Sequence, residues 1–330
     1  MSPITVTILN ALIAVVGGVA GAVVLFWILN KVTELLPSKP QELIKPYVFI
    51  LPAFAALGLY LVYPFFQTLV YSFANSDSTA FIGFKNYQVL LSSPSFQTTL
   101  FNTFLWILIV PTFAIVFGLL IATLADRLRP TGEKLSKTLI FLPLAISAVG
   151  SVAIFRLIYN AGAATGGQTG LLNAIVVAFG GDPIAWLQQS GFKLNSLLLM
   201  VILIWTQAGF AMVLLSAAIK GVPTDTLEAA RIDGAGEGKI FFSIVIPQIR
   251  GTLITVFITV LIGVLKTFDV VYVATNGGFG TNIIALNFFQ ELYVNRNAGA
   301  AAAIVVLLML VIVPFLVYQI RQFRAEEAAR

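Results

Sequence analysis

The amino-acid sequence predicts an all-α, polytopic membrane protein with seven transmembrane helices. Hydrophobic residues make up 59% of the 330 residues, charged residues make up only 10%, and the mean hydropathy is +0.97. Soluble domains carry about 25% charged residues, so lipid rather than water must solvate most of this chain. The apolar residues are grouped into stretches of roughly 20, the helical length that crosses a hydrocarbon core of about 30 Å.

Seven such stretches are nearly free of charge. Barrel strands would be about ten residues long and would alternate strictly in polarity, so these lengths indicate helices. Charged residues occur inside only two stretches, Arg156 in the fourth and Lys266 with Asp269 in the sixth. In chain order, the predicted spans are residues 4–29, 47–73, 100–125, 139–159, 197–219, 252–274 and 298–320.

The basic residues predict the orientation of the chain. Most of the 19 Lys and Arg residues lie in every second connection, at residues 31–45, 127–137, 220–250 and 321–330. Loops rich in Lys and Arg stay in the cytoplasm, so we expect the N-terminus outside and the C-terminus inside. This bias also accounts for the formal charge of +5, and we expect no nucleic-acid partner.

Several classes of chemistry are excluded by composition. The chain has no Cys and no His, which removes disulfides, Cys/His zinc sites and catalytic triads that need either residue. It also lacks a GxxxxGK[ST] phosphate loop, so we expect no ATP hydrolysis by this chain. The sequence therefore predicts no catalytic residue, no metal site and no cofactor bound by the chain itself.

The connection at residues 220–250 is more than a simple linker. Asp225 and Glu228 have the spacing of a capping box, which predicts a short helix from 226 to 233 that stops at Gly234. A second short helix is predicted from 239 to 246, ended by Pro247. Two short helices in an L shape at the membrane surface would form a docking element for a partner protein.

A motif in this connection resembles the EAA loop of ABC-importer permeases, EAA-x3-G-x9-I-x-LP. Ile246 replaces the leucine of that pattern. The resemblance implies that ATPase subunits dock here and that the matching residues couple ATP hydrolysis to transport. Those residues are Glu228, Ala229, Ala230, Gly234, Ile244 and Pro247.

The stretch at residues 266–278 is similar to the FDxxYxxTxGGP segment of the carbohydrate permeases of the maltose and α-glucoside type, with Phe279 in place of the final proline. The resemblance implies a six-helix, type I, MetI-like permease domain over residues 47–330, with its coupling loop at 220–250. An extra N-terminal helix and a linker would occupy residues 1–46. The cargo would be an α-glucoside or another oligosaccharide, which the sequence does not identify.

The resemblance also implies partners and a location. We expect a second homologous permease, two ATPase subunits that bind ATP and Mg²⁺, an extracytoplasmic sugar-binding protein, and contact with lipid in the inner membrane. In such permeases the helices that flank the EAA loop line the sugar path. Gln207 and Phe210 share one face of the preceding helix, and Gly263 and Thr267 share one face of the following helix. Helix packing is the alternative explanation for all four.

The charged residues inside the membrane allow more than one interpretation. Lys266 and Asp269, spaced i and i+3, would neutralise each other on one helix, or take part in gating or sugar contact. Arg156 would either reach outward to the membrane surface or face the sugar. Such residues are also found in ion-coupled secondary transporters, which are the alternative function, and an intramembrane enzyme comes third. Copurification of ATPase subunits would distinguish the first function from the other two.

Overall fold

A computed structural model describes residues 2–162 and 170–328 of the chain. The chain divides into two compact units, Met1–Thr68 and Leu69–Arg330. The first unit contains helix α1 (Pro3–Glu34) and most of helix α2 (Ser38–Tyr71), with Phe26 stacked on Phe49 at 5.8 Å between ring centroids. The boundary between these units, after Thr68, lies inside α2. The domain boundary predicted from the sequence, after residue 46, also lies inside α2.

The second unit is built almost entirely from helices. Ser72 to Phe84 form a turn with a single bridge between Ala74 and Phe81, and short 3₁₀ or π turns lie next to several helices. The helices are α3 (Lys85–Ser92), α4 (Pro94–Ala125), α5 (Pro130–Phe141), α6 (Ala148–Tyr159), α7 (Leu171–Ala178), α8 (Leu194–Lys220), α9 (Thr224–Ile232), α10 (Glu237–Gln248), α11 (Arg250–Lys266), α12 (Asp269–Thr275), α13 (Ile284–Phe289) and α14 (Ala298–Ala328).

Five helices of the described residues are long and apolar enough to cross a membrane: α1, α2, α4, α8 and α14. The count reaches the predicted seven when each of two bent pairs is taken as one span. In the first pair, α5 and its following turn meet α6 at 104°. In the second, α10, which belongs to the predicted loop at residues 220–250, meets α11 at 69°, so α11 is the part of this pair that lies in the sixth predicted span.

The fourth predicted span, residues 139–159, is therefore not one continuous helix. A 3₁₀ turn follows α5, and Ile146 is extended with ψ at 135°. Pro143 inside this turn has no N–H to continue the helical hydrogen bonds. The Ser147 hydroxyl then begins α6 by accepting a hydrogen bond from the Gly150 N–H at 3.1 Å.

The sixth predicted span, residues 252–274, is also broken. Helix α11 ends at Lys266, Thr267 is extended with ψ at 120°, and α12 begins at Asp269. The prediction that Lys266 and Asp269 lie on one helix is therefore wrong, and no ion pair joins them among the described residues. Phe268 leaves the helical path and stacks on Phe289 at 5.1 Å.

The core lies between α4 and α8, which run in parallel. A Cβ on Gly118 of α4 would lie 2.7 Å from the Cβ of Ala211 in α8, so the two backbones approach closely there. Buried Trp106, Leu199 and Met200 belong to the same core, which also includes residues of α6, α11 and α12. The close approach requires a glycine at position 118.

A group of charged and hydroxyl side chains, here called the ion cluster, joins the C-terminal ends of α4 and α8 to α5. It consists of Asp126, Glu133, Lys137, Ser216 and Lys220. The Lys137 ammonium donates to both carboxylates and to the Ser216 hydroxyl, and Lys220 contacts Glu133. The cluster fixes α5 on the end of the bundle that carries α9 and α10.

The opposite end of the bundle is held by neutral amide side chains. Asn102 donates to the carbonyl oxygens of Gly280 and Asn282, at 2.7 and 2.8 Å. Asn195 donates to the carbonyl of Phe279, a residue with φ at +55°, at 2.9 Å. These bonds hold the loop that follows α12 against the starts of α4 and α8.

Candidate functional site

The end of α9 has the geometry that the sequence predicted for it. Gly234 has φ at +79°, the left-handed conformation that glycine adopts most readily. Its N–H donates to the Arg231 carbonyl, and the Ala235 N–H donates to the Ala230 carbonyl, both at 3.0 Å. This pair of hydrogen bonds is a Schellman motif, so α9 stops at a defined residue.

The start of α9 differs from the prediction. The helix begins at Thr224 rather than at residue 226, and no side chain caps it. Asp225 therefore lies inside the first turn, where its negative charge favours the positive end of the helix dipole. The capping box expected between Asp225 and Glu228 is absent, because Pro223 occupies the N-cap position, two residues before Asp225.

One face of α9 is anchored to the bundle and the other is free. Leu227 and Ala230 are half-buried against a cluster built around Val222, Ile240 and Val245. The outward face presents Glu228, Ala229 and Ile232, and the last of these is 86% exposed. A large exposed apolar side chain beside a small residue and a carboxylate suits a surface that a partner covers.

Helix α10 is longer than the segment 239–246 that was expected. It runs from Glu237 to Gln248 and includes a π turn at Phe241–Val245. Pro247 does not end it, because this proline lies in the first turn of the segment that follows the π turn, where a missing N–H costs little. The chain instead turns at Ile249.

An ion pair joins α9 to α10 across the elbow. The Arg231 guanidinium donates to the Glu237 carboxylate at 2.8 and 3.4 Å. This hydrogen bond raises the pKa of Arg231 and lowers that of Glu237. Inside the elbow lies a cavity of about 390 Å³, lined in part by Gly234, Lys239 and Ile244.

A small polar pocket lies at the break between α5 and α6. It measures about 150 Å³ and is lined by Ser151, Thr206 and Gln207 together with apolar side chains. The Ser151 hydroxyl is buried and has no hydrogen-bond partner among the described residues. Since an unsatisfied buried hydroxyl is costly, the pocket suits water or a substrate hydroxyl. Sequence reasoning found Gln207 but missed Ser151, whose only signal was its position one turn after Ser147.

The other residues predicted for the path are placed apart from this pocket. Phe210 is half-buried against the main core. Gly263 is exposed on α11, and a Cβ added there would meet no neighbouring atom within 4 Å. Thr267 lies beyond the end of α11 and donates its hydroxyl to the Gly263 carbonyl at 2.9 Å.

Arg156 has a role that neither predicted alternative describes. Its guanidinium donates to the carbonyls of Val273 and Ala274, at 2.7 and 3.1 Å, in the last turn of α12. A cation at this position satisfies two terminal carbonyls and favours the negative end of the helix dipole. Arg156 therefore joins α6 to α12.

Comparison with protein families gives one match over most of the chain. Residues 81–325 match the family described as binding-protein-dependent transport system inner membrane component. The match includes the loop with α9 and α10, the polar pocket and all of α11.

Two relatives are similar over most of their lengths. The α-glucoside transport system permease protein AglF of Rhizobium meliloti (strain 1021) is 42% identical over 97% of this chain and 98% of its own. The osmoprotective compounds uptake permease protein GgtC of Synechocystis sp. (strain ATCC 27184 / PCC 6803 / Kazusa) is 42% identical over 86% of this chain and 100% of its own.

A solved structure shares the fold. It is a bacterial ABC transporter involved in the import of the acidic polysaccharide alginate, with a TM-score of 0.74 and 20% sequence identity. The match covers 87% of this chain and 99% of the matched chain. The arrangement of helices is thus the same in the two chains.

Proposed function

Given that this chain belongs to the family of binding-protein-dependent transport system inner membrane components, we propose that it conducts α-glucosides or related oligosaccharides across the inner membrane. The chain is a transmembrane permease subunit of an ABC sugar importer. The name of its relative AglF supports an α-glucoside as cargo. The name of GgtC supports an osmoprotective compound.

The observation that carries the coupling role is the geometry of α9. Its inner face is fixed to the bundle by Leu227 and Ala230, while Glu228 and Ala229 remain exposed. The stop at Gly234 and the Arg231–Glu237 ion pair hold α9 at a set angle to α10. A partner that pushes on the exposed face would therefore move α9 and α10 as one body.

The partners follow from this role. We propose that two ATPase subunits bind ATP and Mg²⁺ and dock on α9, that a second homologous permease forms the other half of the path, and that a sugar-binding protein delivers the cargo. The loop with α9 and α10 would then face the cytoplasm, with the N-terminus outside and the C-terminus inside. The distribution of Lys and Arg supports this orientation.

The polar pocket is the proposed contact with the sugar inside the membrane. Gln207 offers two donors and an acceptor, and Ser151 offers a hydroxyl without a partner among the described residues. A neutral sugar needs such groups to replace its hydration shell. The other candidates for the sugar path are Phe210, Gly263 and Thr267. Arg156 is a candidate because it helps to line an outer cavity of about 290 Å³.

The ion-coupled secondary transporter is not supported. The family is that of ABC importers. Arg156, Lys266 and Asp269 motivated the alternative. Arg156 donates to backbone carbonyls of α12, and Lys266 and Asp269 lie on either side of a helix break and form no ion pair among the described residues.

The test is uptake by the complete complex in proteoliposomes, with sucrose, trehalose and maltose as probes and the cognate binding protein outside. We expect ATP-dependent uptake of at least one of them, and ATPase subunits that copurify with this chain. Glu228→Lys reverses a charge on the exposed face of α9 and should reduce uptake at least tenfold. Gly234→Val forces a β-branched residue into the left-handed region and should act similarly.

Glu42→Lys is the matched control for Glu228→Lys, because it reverses the charge of an exposed acidic side chain in α2, outside the loop with α9 and α10. It should transport normally. Normal uptake and normal ATPase coupling in both the Glu228 and Gly234 variants would show that α9 is not the coupling element. Sugar uptake that does not depend on ATP would contradict the importer itself.

A further inference from the structure

The ion cluster lies where α8 leads into the loop with α9 and α10. Lys220 is the last residue of α8, and α9 begins four residues later, at Thr224. Of the other members, Asp126 directly follows α4, and Glu133 and Lys137 belong to α5. A force on α9 therefore reaches the cluster through a short piece of chain.

The cluster holds the Lys137 ammonium in one place. Its three N–H groups have three acceptors, the carboxylates of Asp126 and Glu133 at 2.5 and 2.6 Å and the Ser216 hydroxyl at 2.5 Å. Ser216 in turn donates to Asp126 at 3.1 Å, and Lys220 contacts Glu133. The two cations and the two carboxylates balance in charge, and the group ties α5 to both neighbouring helices.

Stability alone does not account for this arrangement. The side chains of Asp126, Glu133 and Lys137 are only 16–19% exposed, so their charges have lost most of their water. Ion pairs removed from water often stabilise a protein no more than apolar side chains of similar volume would. One carboxylate oxygen of Asp126, Oδ2, is also buried without a hydrogen-bond partner among the described residues, which is unfavourable. The cluster instead provides a fixed distance between α5 and α8.

Helix α5 contacts α8 at a second point, nearer the middle of α8. A Cβ on Gly209 would lie 2.4 Å from the Ile140 carbonyl oxygen and 2.9 Å from the Phe141 Cα, so the two backbones touch there. Gly209 precedes Ser216 of the ion cluster by seven residues, which is about 10 Å along the helix. Held at both points, α5 cannot tilt against α8. Held at Gly209 alone, α5 would be free to pivot.

The far end of α5 leads into the polar pocket. The 3₁₀ turn Leu142–Ala145 follows the helix directly, and Leu144 and Ile146 line the pocket together with Gln207 of α8. A tilt of α5 about the Gly209 contact would therefore shift one wall of the pocket against the other. By preventing that tilt, the ion cluster keeps the shape of a pocket at the opposite end of α5.

We propose that the ion cluster is a positioning element that makes α5 follow α8 and α9 as one body. A push on α9 then moves the pocket walls on α5 and α8 together, whereas without the cluster α5 would tilt about Gly209 and the push would be lost there. Lys137 and Glu133 act through the helices and do not contact the cargo. The push and the cargo rest on the proposed function, and the attachment of α5 to α8 rests on the contacts of the cluster.

The first test removes both α5 members of the cluster at constant net charge. The double variant Lys137→Met/Glu133→Gln loses one cation and one anion, and Lys220 and Asp126 still balance each other. Lys134→Met is the control, because it removes an exposed lysine of the same helix that forms no ion pair among the described residues. Complete complexes are placed in proteoliposomes with the binding protein, and uptake of sucrose, trehalose and maltose is measured together with phosphate release.

We expect the double variant to hydrolyse ATP, while the sugar carried per ATP falls at least about fivefold, the low end of typical coupling between two sites. Lys134→Met should keep the wild-type ratio. A wild-type ratio in the double variant would overturn the proposal even at reduced yield, because the ratio counts only complexes that have assembled. An equal fall in Lys134→Met would overturn it too. If the wild type itself shows no ATP-dependent uptake, the proposed function fails instead.

The second test asks whether α5 and α8 stay together while the complex works. The chain contains no cysteine, so Glu133→Cys/Lys220→Cys places two thiols where an ion pair was, in a complex whose other subunits are freed of cysteine. A short bismaleimide then ties α5 to α8. Glu133→Cys alone, treated with the same reagent, is the control for modification without a crosslink.

The crosslinked complex should hydrolyse ATP and carry sugar at least as well as the same complex before crosslinking. A loss of ATP hydrolysis and uptake in the crosslinked complex alone would overturn the proposal, because α5 would then have to move away from α8 during the cycle. ATP hydrolysis suffices for this result, so it does not depend on the cargo and also decides the case in which the first double variant fails to assemble.

Discussion

Helices α4 and α11 contact each other in one bundle, and each leaves one face uncovered, but the two faces differ in chemistry. Within the predicted span 100–125, the exposed residues of α4 are aromatic and aliphatic, with Thr112 as an exception. On α11 the exposed residues are Arg250, Thr259, Gly263 and Lys266. Both helices come from windows that hydropathy marks as membrane spans. The difference shows that an average over a window identifies a span, whereas the polarity of single exposed positions separates a lipid face from a face toward water or protein.

The largest effect is expected when a charge is placed on each face, because this tests whether the two faces border different surroundings. Thr112→Asp would put a carboxylate at the centre of α4, where insertion of a charge costs about 2.5–3.5 kcal/mol. Thr259→Asp places the same carboxylate at the centre of α11. We expect the yield of assembled complex to fall by at least tenfold for Thr112→Asp and to stay near that of the wild type for Thr259→Asp.

Yield is measured by the amount of this chain that copurifies with its partners, at equal expression. Thr112→Asn and Thr259→Asn serve as neutral controls of similar size. If Thr259→Asp loses as much complex as Thr112→Asp, both faces border an apolar surface and the comparison fails.

Two glycines, one in each helix, differ in how closely their surroundings are packed. Gly118 faces the α8 backbone, so the side chain of Gly118→Leu would overlap Ala211 and the Met212 nitrogen, 2.7 and 2.8 Å from the new Cβ. Overpacking of this kind typically costs about 1–3 kcal/mol. Gly263→Leu meets open space and should leave the melting temperature of the complex unchanged.

The two leucine variants should also differ in transport. Gly118→Leu should lower thermal stability, with uptake falling in proportion to the amount of complex. Gly263→Leu should instead lower uptake per complex, with a smaller effect for Gly263→Ala, because Gly263 is a candidate for the sugar path and the added side chain would narrow it. A stable Gly263→Leu complex with normal uptake would remove Gly263 from the candidates for the sugar path.

The smallest expected effect concerns the polar pocket on α8. Gln207→Leu removes hydrogen-bonding groups beside Ser151, which changes binding by about 0.5–1.5 kcal/mol for each bond lost. Uptake of sucrose, trehalose and maltose should therefore change by different factors, with the yield of complex unaffected. Phe210→Ala removes a ring that packs against the core, so reduced yield with unchanged relative uptake is its expected result.

The same pattern in both variants, lower yield with unchanged selectivity, would assign Gln207 to packing as well. A selective effect of Phe210→Ala would add the aromatic ring to the sugar path. Thr206→Val is a useful control for the pocket, because the Thr206 hydroxyl already donates to the Leu203 carbonyl at 2.9 Å.

The sequence predicted the spans well where length and polarity decide the structure. The uninterrupted helices α1, α4 and α8 each contain the predicted apolar span and extend only a few residues beyond it. It failed at the breaks after α5 and α11. Hydropathy is the same for a straight and a bent helix, and the break at Thr267 and Phe268 contains neither proline nor glycine.

The candidate site was predictable where local chemistry sets the conformation. The stop at Gly234 followed from a residue type that favours positive φ, and the structure has φ at +79° there. The role of Arg156 was not predictable, because its carbonyl partners in α12 lie more than a hundred residues away and exist only because α12 ends there. Ser151 was missed because a single hydroxyl in an apolar stretch has no pattern of its own.

The ion cluster has a consequence for the synthesis of the protein. Lys137 is made well before Ser216, which follows it by 79 residues, and Glu133 precedes Lys220 by 87 residues. At about 5–20 residues per second, the ribosome needs about 4–17 s to supply these partners. During that interval the Lys137 ammonium has only the carboxylates of Asp126 and Glu133 as partners within this cluster. We therefore expect α5 to take its final place only after α8 has been made.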